Sequence, residues 1–261
     1  MFGQTRKRIA VSLVIILGLI AFFQWASPRY VPPILAYHHV REGASPSDRE
    51  TVSPQDFEKQ MAYIHQHGYR VLRLEELAAM IEQNKPFPRH SVVLTFDDGY
   101  EDNYHFAYPI LQKYGFPATI FMISDVVGTS GFLTWDQTKE MLSRGITVGA
   151  HTRRHRYLPD LTPEEQSDEI EGSKRILGKA LGQPIEFFAY PVGGFNETIQ
   201  AFVKRAGYRA ACTTNRGRDK RNRNVWELNR ISMRSNNTQA LVLWAKLSGY
   251  YNLFRKSKNP C

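Results

Sequence analysis

The residues best equipped for chemistry lie in a few short clusters. Asp97 and Asp98 are adjacent, precede Gly99 and come directly after the apolar run SVVLTF. His151 and His155 bracket the segment HTRRH; on a helix or tight loop, imidazoles four apart share a face and can hold one metal ion between them. An aspartate from a different strand end would complete a His/His/Asp set and leave coordination positions for water and substrate, as catalytic zinc sites do. With no usable cysteine ligands, Zn²⁺ suits such a set, and Co²⁺ or Ni²⁺ would also fit. His38 ends ILAYH, and Pro191 follows EFFAY. Each cluster alone has a bland alternative. Asp-Asp-Gly is an ordinary turn sequence, and paired histidines are often only surface residues.

Strand and helix signals alternate along the chain and place these clusters at strand ends. Ile34–His38 reads as a short strand. Ser53 then caps a helix whose first position is Pro54, whose apolar face is Phe57, Met61 and Ile64, and which Gly68 ends. A second amphipathic helix spans Glu75–Gln83, a buried strand Ser91–Phe96, and a helix runs from about Asn103 to Tyr114, closed by Gly115. Further strands are expected at Ala118–Ile123, Ile146–Ala150, Glu186–Tyr190 and Arg209–Thr213, with helices opened by Thr162-Pro163 as far as Leu181 and over Asn196–Ala206. This alternation predicts an α/β fold of parallel βαβ units, closed into a barrel or laid out as an open sheet. In both architectures chemistry collects at the C-terminal strand ends, where His38, Asp97, Asp98, His151 and Pro191 fall.

The composition is globular, 42% hydrophobic and 23% charged, and 261 residues bury a large core without staples, which excludes a disulfide scaffold. Cys212 and Cys261 are the only cysteines. The formal charge of +9 is uneven: residues 201–261 carry 14 Lys or Arg against Asp219 and Glu227, so residues 1–200 sum to −3. Arg6, Lys7 and Arg8 precede an uncharged apolar run from Ile9 to Trp25. The expected organisation is a basic cytoplasmic flank (1–8), a signal anchor or transmembrane helix (9–26), a Pro-rich linker (27–33), a catalytic domain (34–236) and a basic, apolar tail (237–261). Cleavage after Ala26 or Ser27 would put Gln24 or Trp25 at the −3 position, so a retained anchor is favoured over a secreted form. The domain is thereby expected on the extracytoplasmic side, which argues against nucleic acid as a partner and leaves anionic lipid or an acidic envelope polymer to face the basic end. The tail from Gln239 to Phe254 reads as a helix covering the core or an amphipathic segment on lipid.

The pairing of TFDDG (Thr95–Gly99) with HTRRH (His151–His155) resembles the first two motifs of the polysaccharide deacetylases, the NodB-homology domain of carbohydrate esterase family 4, over roughly Pro33 to Arg234. The resemblance implies a distorted (β/α)7-type barrel, Asp97 as general base, and Asp98, His151 and His155 as ligands of one divalent metal. The family's third motif usually carries an arginine where this chain has Ala189, and its C-terminal Leu-x-His is replaced by Leu228-Asn229-Arg230-Ile231. Tyr37-His38-His39-Val40 is similar to the signature of the permuted branch that includes the poly-N-acetylglucosamine deacetylases, in which the acid histidine comes from the N-terminal strand. On that likeness His38 is the general acid, Arg230 replaces the missing arginine beside Asp97, and a backbone N–H at Val192 stabilises the oxyanion. Trp135, Tyr190 and Pro191 are candidates for contacting the sugar.

The implied reaction is metal-assisted hydrolysis of an N-acetyl group on a GlcNAc-containing glycan such as poly-N-acetylglucosamine, peptidoglycan or a chitin-like chain, with release of acetate. Two alternatives share these residues: a catalytically silent glycan-binding module, and an O-acetyl esterase. The charge asymmetry predicts that the basic quarter faces headgroups or envelope polymer while catalysis belongs to the first 200 residues.

Overall fold

The structure is a computed structural model that describes residues 29–261 apart from 44, 46, 47 and 215, together with positions 11, 14–18, 21 and 24. The anchor segment 9–26 otherwise lies outside the described residues, as does the flank 1–8. Among the described residues no helix is long and apolar enough to cross a membrane.

The strands β1 (Ile34–Tyr37), β5 (Ser91–Phe96), β6 (Ala118–Met122), β7 (Ile146–Ala150), β8 (Phe187–Ala189) and β9 (Ala210–Thr213) are hydrogen-bonded in that order, every pair parallel. The circuit is closed by one segment used twice. β10 (Leu228–Asn229) pairs with β9, and β11 (Ile231–Ser232), one residue further on, pairs with β1. The result is a nearly closed barrel whose last strand is divided at Arg230 between the two sides of the seam. β4 (Arg70–Leu72) joins the lower half of β5, and β2 (His39–Val40) with β3 (Thr51–Val52) forms a small separate pair.

Period-two alternation sorts the strand residues into two cores. Ile34, Val93, Phe121, Cys212 and Leu228 face inward and meet the apolar face of α2 (Leu74–Glu82), whose Leu74, Leu77, Ala78 and Ile81 close the bottom of the barrel. Their neighbours Leu35, Tyr37, Leu94, Phe96, Ile120 and Phe188 face outward against the surrounding helices. The same alternation sends Thr95, Asp97 and Arg230 into the upper interior.

The helices begin where their capping residues stand. Ser53 accepts a hydrogen bond from Asp56 N at the start of α1 (Pro54–Gln66), and Thr162 with Glu165 makes a capping box on α5 (Pro163–Leu181). The helix read over 103–114 is two pieces: a wide i→i+5 turn, Asn103–Ala107, running into α3 (Tyr108–Tyr114). α4 (Trp135–Ser143), absent from the sequence reading, has its own capping box in Thr134 and Gln137. α6 spans Glu197–Arg205. The linker docks onto the barrel: Val31 N donates to Gly249 O, Pro33 O accepts from Val93 N, and the Tyr30 hydroxyl bonds Ser91. In the tail, α7 (Ala240–Leu247) buries Leu243 and Leu247 in the core and leaves Leu241 and Trp244 exposed, followed by α8 (Tyr251–Phe254). The core-covering reading therefore holds for one face of α7.

Candidate active site

Asp97 leaves the end of β5 with its backbone N–H donating to Tyr37 O, which ties it to β1. Its two carboxylate oxygens each accept a hydrogen bond from Arg230, Nη1 to Oδ1 and Nη2 to Oδ2, both 2.6 Å. Nη1 also reaches the Thr95 hydroxyl at 3.2 Å, and the guanidinium lies over the Phe121 ring. This is a fork-to-fork pair with both partners buried. Burial alone would raise the Asp97 pKa; Arg230, helped by His151 and His38, outweighs it and holds the carboxyl well below the usual carboxylate range. His38 Nε2 stands 3.7 Å from Asp97 Oδ2.

Beside this pair, Asp98, His151 and His155 bring one ligand atom each to within 4.8 Å of one another. Asp98 Oδ1 faces His151 Nε2 at 3.6 Å and His155 Nε2 at 3.4 Å. That oxygen is buried and has no hydrogen-bond partner among the described residues, an arrangement that a cation would satisfy. His151 Nδ1 lies 2.7 Å from Ala189 O, so the proton belongs on Nδ1 and the Nε2 lone pair points at Asp98. Burial pushes the His151 pKa down despite the neighbouring carboxylates, which favours the neutral ring that a metal needs. The residues present therefore fit a divalent metal.

The loops are fixed from outside. Glu169 on α5 is fully buried and accepts from the backbone N–H groups of Arg153 and Arg154 and from Arg154 Nε. Arg153 pairs in turn with Asp125 and Asp168. Asp98, Thr152, His155 and Val192 all have positive φ although none is glycine, so backbone strain gathers at this end of the barrel. Asn103 Nδ2 holds His38 O at 2.8 Å, and His39 bonds Asp102 at 2.6 Å while stacking on Tyr100. Glu169, Asn103 and the His39–Asp102 pair escaped the sequence reading. Glu169 sits in an acidic helix where one carboxylate looks like the next.

These groups share one cavity of about 620 Å³ at the C-terminal end of the strands, lined by His38, Asp97, Asp98, His151, His155 and Val192 among others. Trp135 does not line it; the ring sits at the first turn of α4 against the core. Tyr190 borders the cavity, but its ring is fully buried beside Phe188 and Phe195 and its hydroxyl donates to Trp226 O. Pro191 is buried as well, and serves to start the turn that presents Val192. Trp135 thus does not line this cavity, and the Tyr190 ring is packed into the core although the residue borders it. The expected division of charge is corrected, because Arg216, Arg230, Arg234, Arg255 and Lys258 all line this cavity. Cys212 is buried in the core, Cys261 is exposed, and both are free.

The profile of the family described as Polysaccharide deacetylase matches residues 84–211. The protein YxkH of Bacillus subtilis (strain 168), whose name places it among the polysaccharide deacetylases, is 39% identical over 199 residues, which cover 76% of this chain and 70% of that protein. A poly-β-1,6-N-acetyl-D-glucosamine N-deacetylase of Staphylococcus epidermidis is 28% identical over 200 residues, 66% of this chain and 68% of that one. Among solved structures, the Streptococcus pyogenes deacetylase PplD in complex with acetate aligns with a TM-score of 0.76 and 33% identity, covering 83% of this chain and 97% of that one. IcaB from Ammonifex degensii aligns with a TM-score of 0.72 and 27% identity over 83% and 97%. With this barrel, these motifs and this similarity, the chain belongs to the polysaccharide deacetylase family, hydrolases that remove N-acetyl groups.

Proposed function

We propose that the protein is a metal-dependent N-deacetylase of a GlcNAc-containing glycan outside the cytoplasmic membrane, held there by its apolar N-terminal segment. The observation that carries this reading is the juxtaposition of an ionised, arginine-clamped carboxylate with an Asp/His/His triad and a histidine 3.7 Å from that carboxylate. The names of the staphylococcal relatives support poly-β-1,6-GlcNAc as the substrate.

Asp97 is a weak base because Arg230 stabilises its charge; a divalent ion, Zn²⁺ by preference, would supply the Lewis acidity toward the acetamide carbonyl and the acidity of the attacking water that such a base requires. Arg230 fixes both Asp97 oxygens, so the carboxylate accepts the water proton from one direction. His38, near Asp97 Oδ2, is placed to deliver a proton to the departing amine. The Val192 turn at the cavity wall, held in its unusual conformation, supports the assignment of a backbone donor for the oxyanion. The products are acetate and a glucosamine unit.

The test is acetate release by the Zn²⁺-loaded protein from poly-β-1,6-GlcNAc oligomers and other acetylated glycans, with Asp97→Asn alongside. Metal-dependent release that Asp97→Asn abolishes supports the proposal. Absence of release from every glycan would point to a silent binding module. Release from O-acetyl esters alone, surviving in His38→Ala, would point to an esterase.

A further inference from the structure

We infer that the glycan taken by this site carries an anionic group, a phosphodiester or a carboxylate, bound by a cationic rim that Arg49 and the C-terminal quarter of the chain build around the cavity mouth. The inference rests on the deacetylase reading of the floor and adds a property of the substrate. Arg49, Arg216, Arg234, Arg255 and Lys258 line the cavity, and Glu50 is the single carboxylate lining it other than Asp97 and Asp98.

Among the described residues, none of these five cations lies within ion-pair distance of a carboxylate. Some arginines elsewhere are paired, Arg70 with Glu76, Arg156 with Glu165 and Arg209 with Glu82, and others, such as Arg73 and Arg175, have no such pairing among the described residues; what sets these five apart is that they share one concavity. Unpaired like charges collected around one concavity repel each other and are retained at a cost in stability that an incoming anion removes. Two of them are nevertheless held firmly, by neutral oxygens. Arg216 donates to Val192 O at 2.8 Å and to Asn259 O at 2.6 Å, and Arg255 donates to Arg230 O at 2.9 Å and to Asn252 Oδ1 at 3.2 Å. Burial pushes the Arg255 pKa down, as expected of a guanidinium with no counter-ion.

The segment carrying Lys258 is tied at both ends. Lys220 Nζ holds Arg255 O at 2.7 Å, and Phe195 N donates to Pro260 O at 2.8 Å. The C-terminal residues are thereby brought against the turn that presents Val192. A neutral acetylated polymer gains nothing from such a field, and its amine product is repelled by it. An anion elsewhere on the same glycan gains from it, and planar guanidinium forks suit phosphate and carboxylate oxygens alike.

The test compares three substrates of the full-length Zn²⁺-loaded protein: a neutral GlcNAc oligomer, the same oligomer with one phosphodiester, and the same oligomer with one carboxylate. At least one anionic form is expected to exceed the neutral one by about tenfold in kcat/KM, chiefly through KM. The ratio should shrink as NaCl rises from about 50 to 500 mM, because the rim is open to solvent. The larger ratio identifies the anion. Arg49→Gln combined with Lys258→Gln should bring the ratio toward one and Arg49→Lys with Lys258→Arg should restore it, whereas Arg175→Gln on the exposed side of α5 should leave it unchanged. A wild-type ratio near one, or a ratio that the double Gln variant does not move, overturns the inference. If no oligomer releases acetate, the deacetylase reading fails instead, and equilibrium binding of the same three glycans to the wild-type protein still decides the rim by the same ratio.

Discussion

Arg230 and Asp97, 133 residues apart in sequence, meet through two parallel contacts of 2.6 Å inside the barrel. The geometry supplies Asp97 with a guanidinium although position 189, where the resemblance implies an arginine, is Ala189. Ala189 and Cys212 are in register on β8 and β9 and both face the interior, so two small side chains leave upper-barrel volume for a guanidinium arriving from the next strand. Arg230 is also where the closing strand changes partner from β9 to β1, so one residue joins the two sides of the seam and orients the carboxylate.

Replacing Arg230 by lysine keeps the charge and removes the fork. Activity should fall by roughly 10²-fold, since a point charge cannot fix both Asp97 oxygens. The Asp97 pKa should rise at the same time. A carboxyl with a depressed folded pKa contributes stability above its unfolded pKa and loses it as pH falls through the folded value, so weakening the clamp moves the acid limb of kcat/KM to higher pH. The paired pH profiles check this, and coincident acid limbs would count against it. Arg230→Ala leaves a buried carboxylate alone and should destabilise the protein by about 3–5 kcal/mol in denaturant titration.

Glu169→Gln should weaken metal binding without touching a ligand. The carboxylate accepts from two backbone N–H groups of the HTRRH loop and from Arg154 Nε. An amide presents one acceptor and one donor group, so one of these contacts becomes a donor–donor clash. A supporting group of this kind is worth about 10–100-fold in metal affinity, measurable by competition with a chromophoric chelator. An unchanged affinity would show that the loop holds its shape unaided.

Asp98→Asn should act oppositely on stability and on metal affinity. The unpartnered, buried Oδ1 makes the charged side chain a burden in the metal-free protein, and asparagine tolerates positive φ well. The metal-free variant is expected to melt at or above metal-free wild type, with a gain on the order of 1 kcal/mol. Added Zn²⁺ should raise the melting temperature of wild type and leave the variant's unchanged. Equal gains in both proteins would place the ion elsewhere.

Lys246 gives a prediction away from the site. Its ammonium on α7 is largely buried, donates to Ser232 O at 2.7 Å and has its pKa pushed down to about 8, by burial first and then by Arg255 and Arg234. The unfolded chain titrates near 10.4, so between about pH 8 and 10.4 the unfolded state binds the extra proton and stability rises with pH. The rise should amount to at most about 3 kcal/mol and should be missing from Lys246→Gln. Denaturant midpoints across this window, wild type against variant, provide the measurement.

What the sequence disclosed follows from how local each signal is. The strand SVVLTF and the helix from Pro163 to Leu181 appear with the expected bounds, because an apolar run between turn residues and a capping box with Pro at the first position are complete within a few residues. The cluster of Asp98, His151 and His155, and Asp97 beside it, were legible because Asp-Asp-Gly and HTRRH each keep their members close in sequence. The short strands on either side of Arg230 were not, since two residues have no period and acquire strand character only from partners nearly two hundred residues away on one side. Helix α4 was missed although Thr134 and Gln137 announce it, because its only fully buried residues are Thr138 and Met141, with Trp135 and Leu142 only partly buried. The burial of the Tyr190 ring was not legible for a related reason: position at a strand end says nothing about which way the ring turns. The cationic rim was hidden because the C-terminal charges reach the cavity through backbone hydrogen bonds, which leave no mark in composition.

His38 directly follows the first strand of the barrel and Arg230 lies in the segment that closes it, and the two reach Asp97 together only when Leu35 and Ile231 come into register. A ribosome-bound chain halted before the closing strand already holds both aspartates and the two histidines of HTRRH, yet its barrel is open along one side and Asp97 lacks a clamp. The clamp on Asp97 is thus withheld until the two ends of the barrel have found each other.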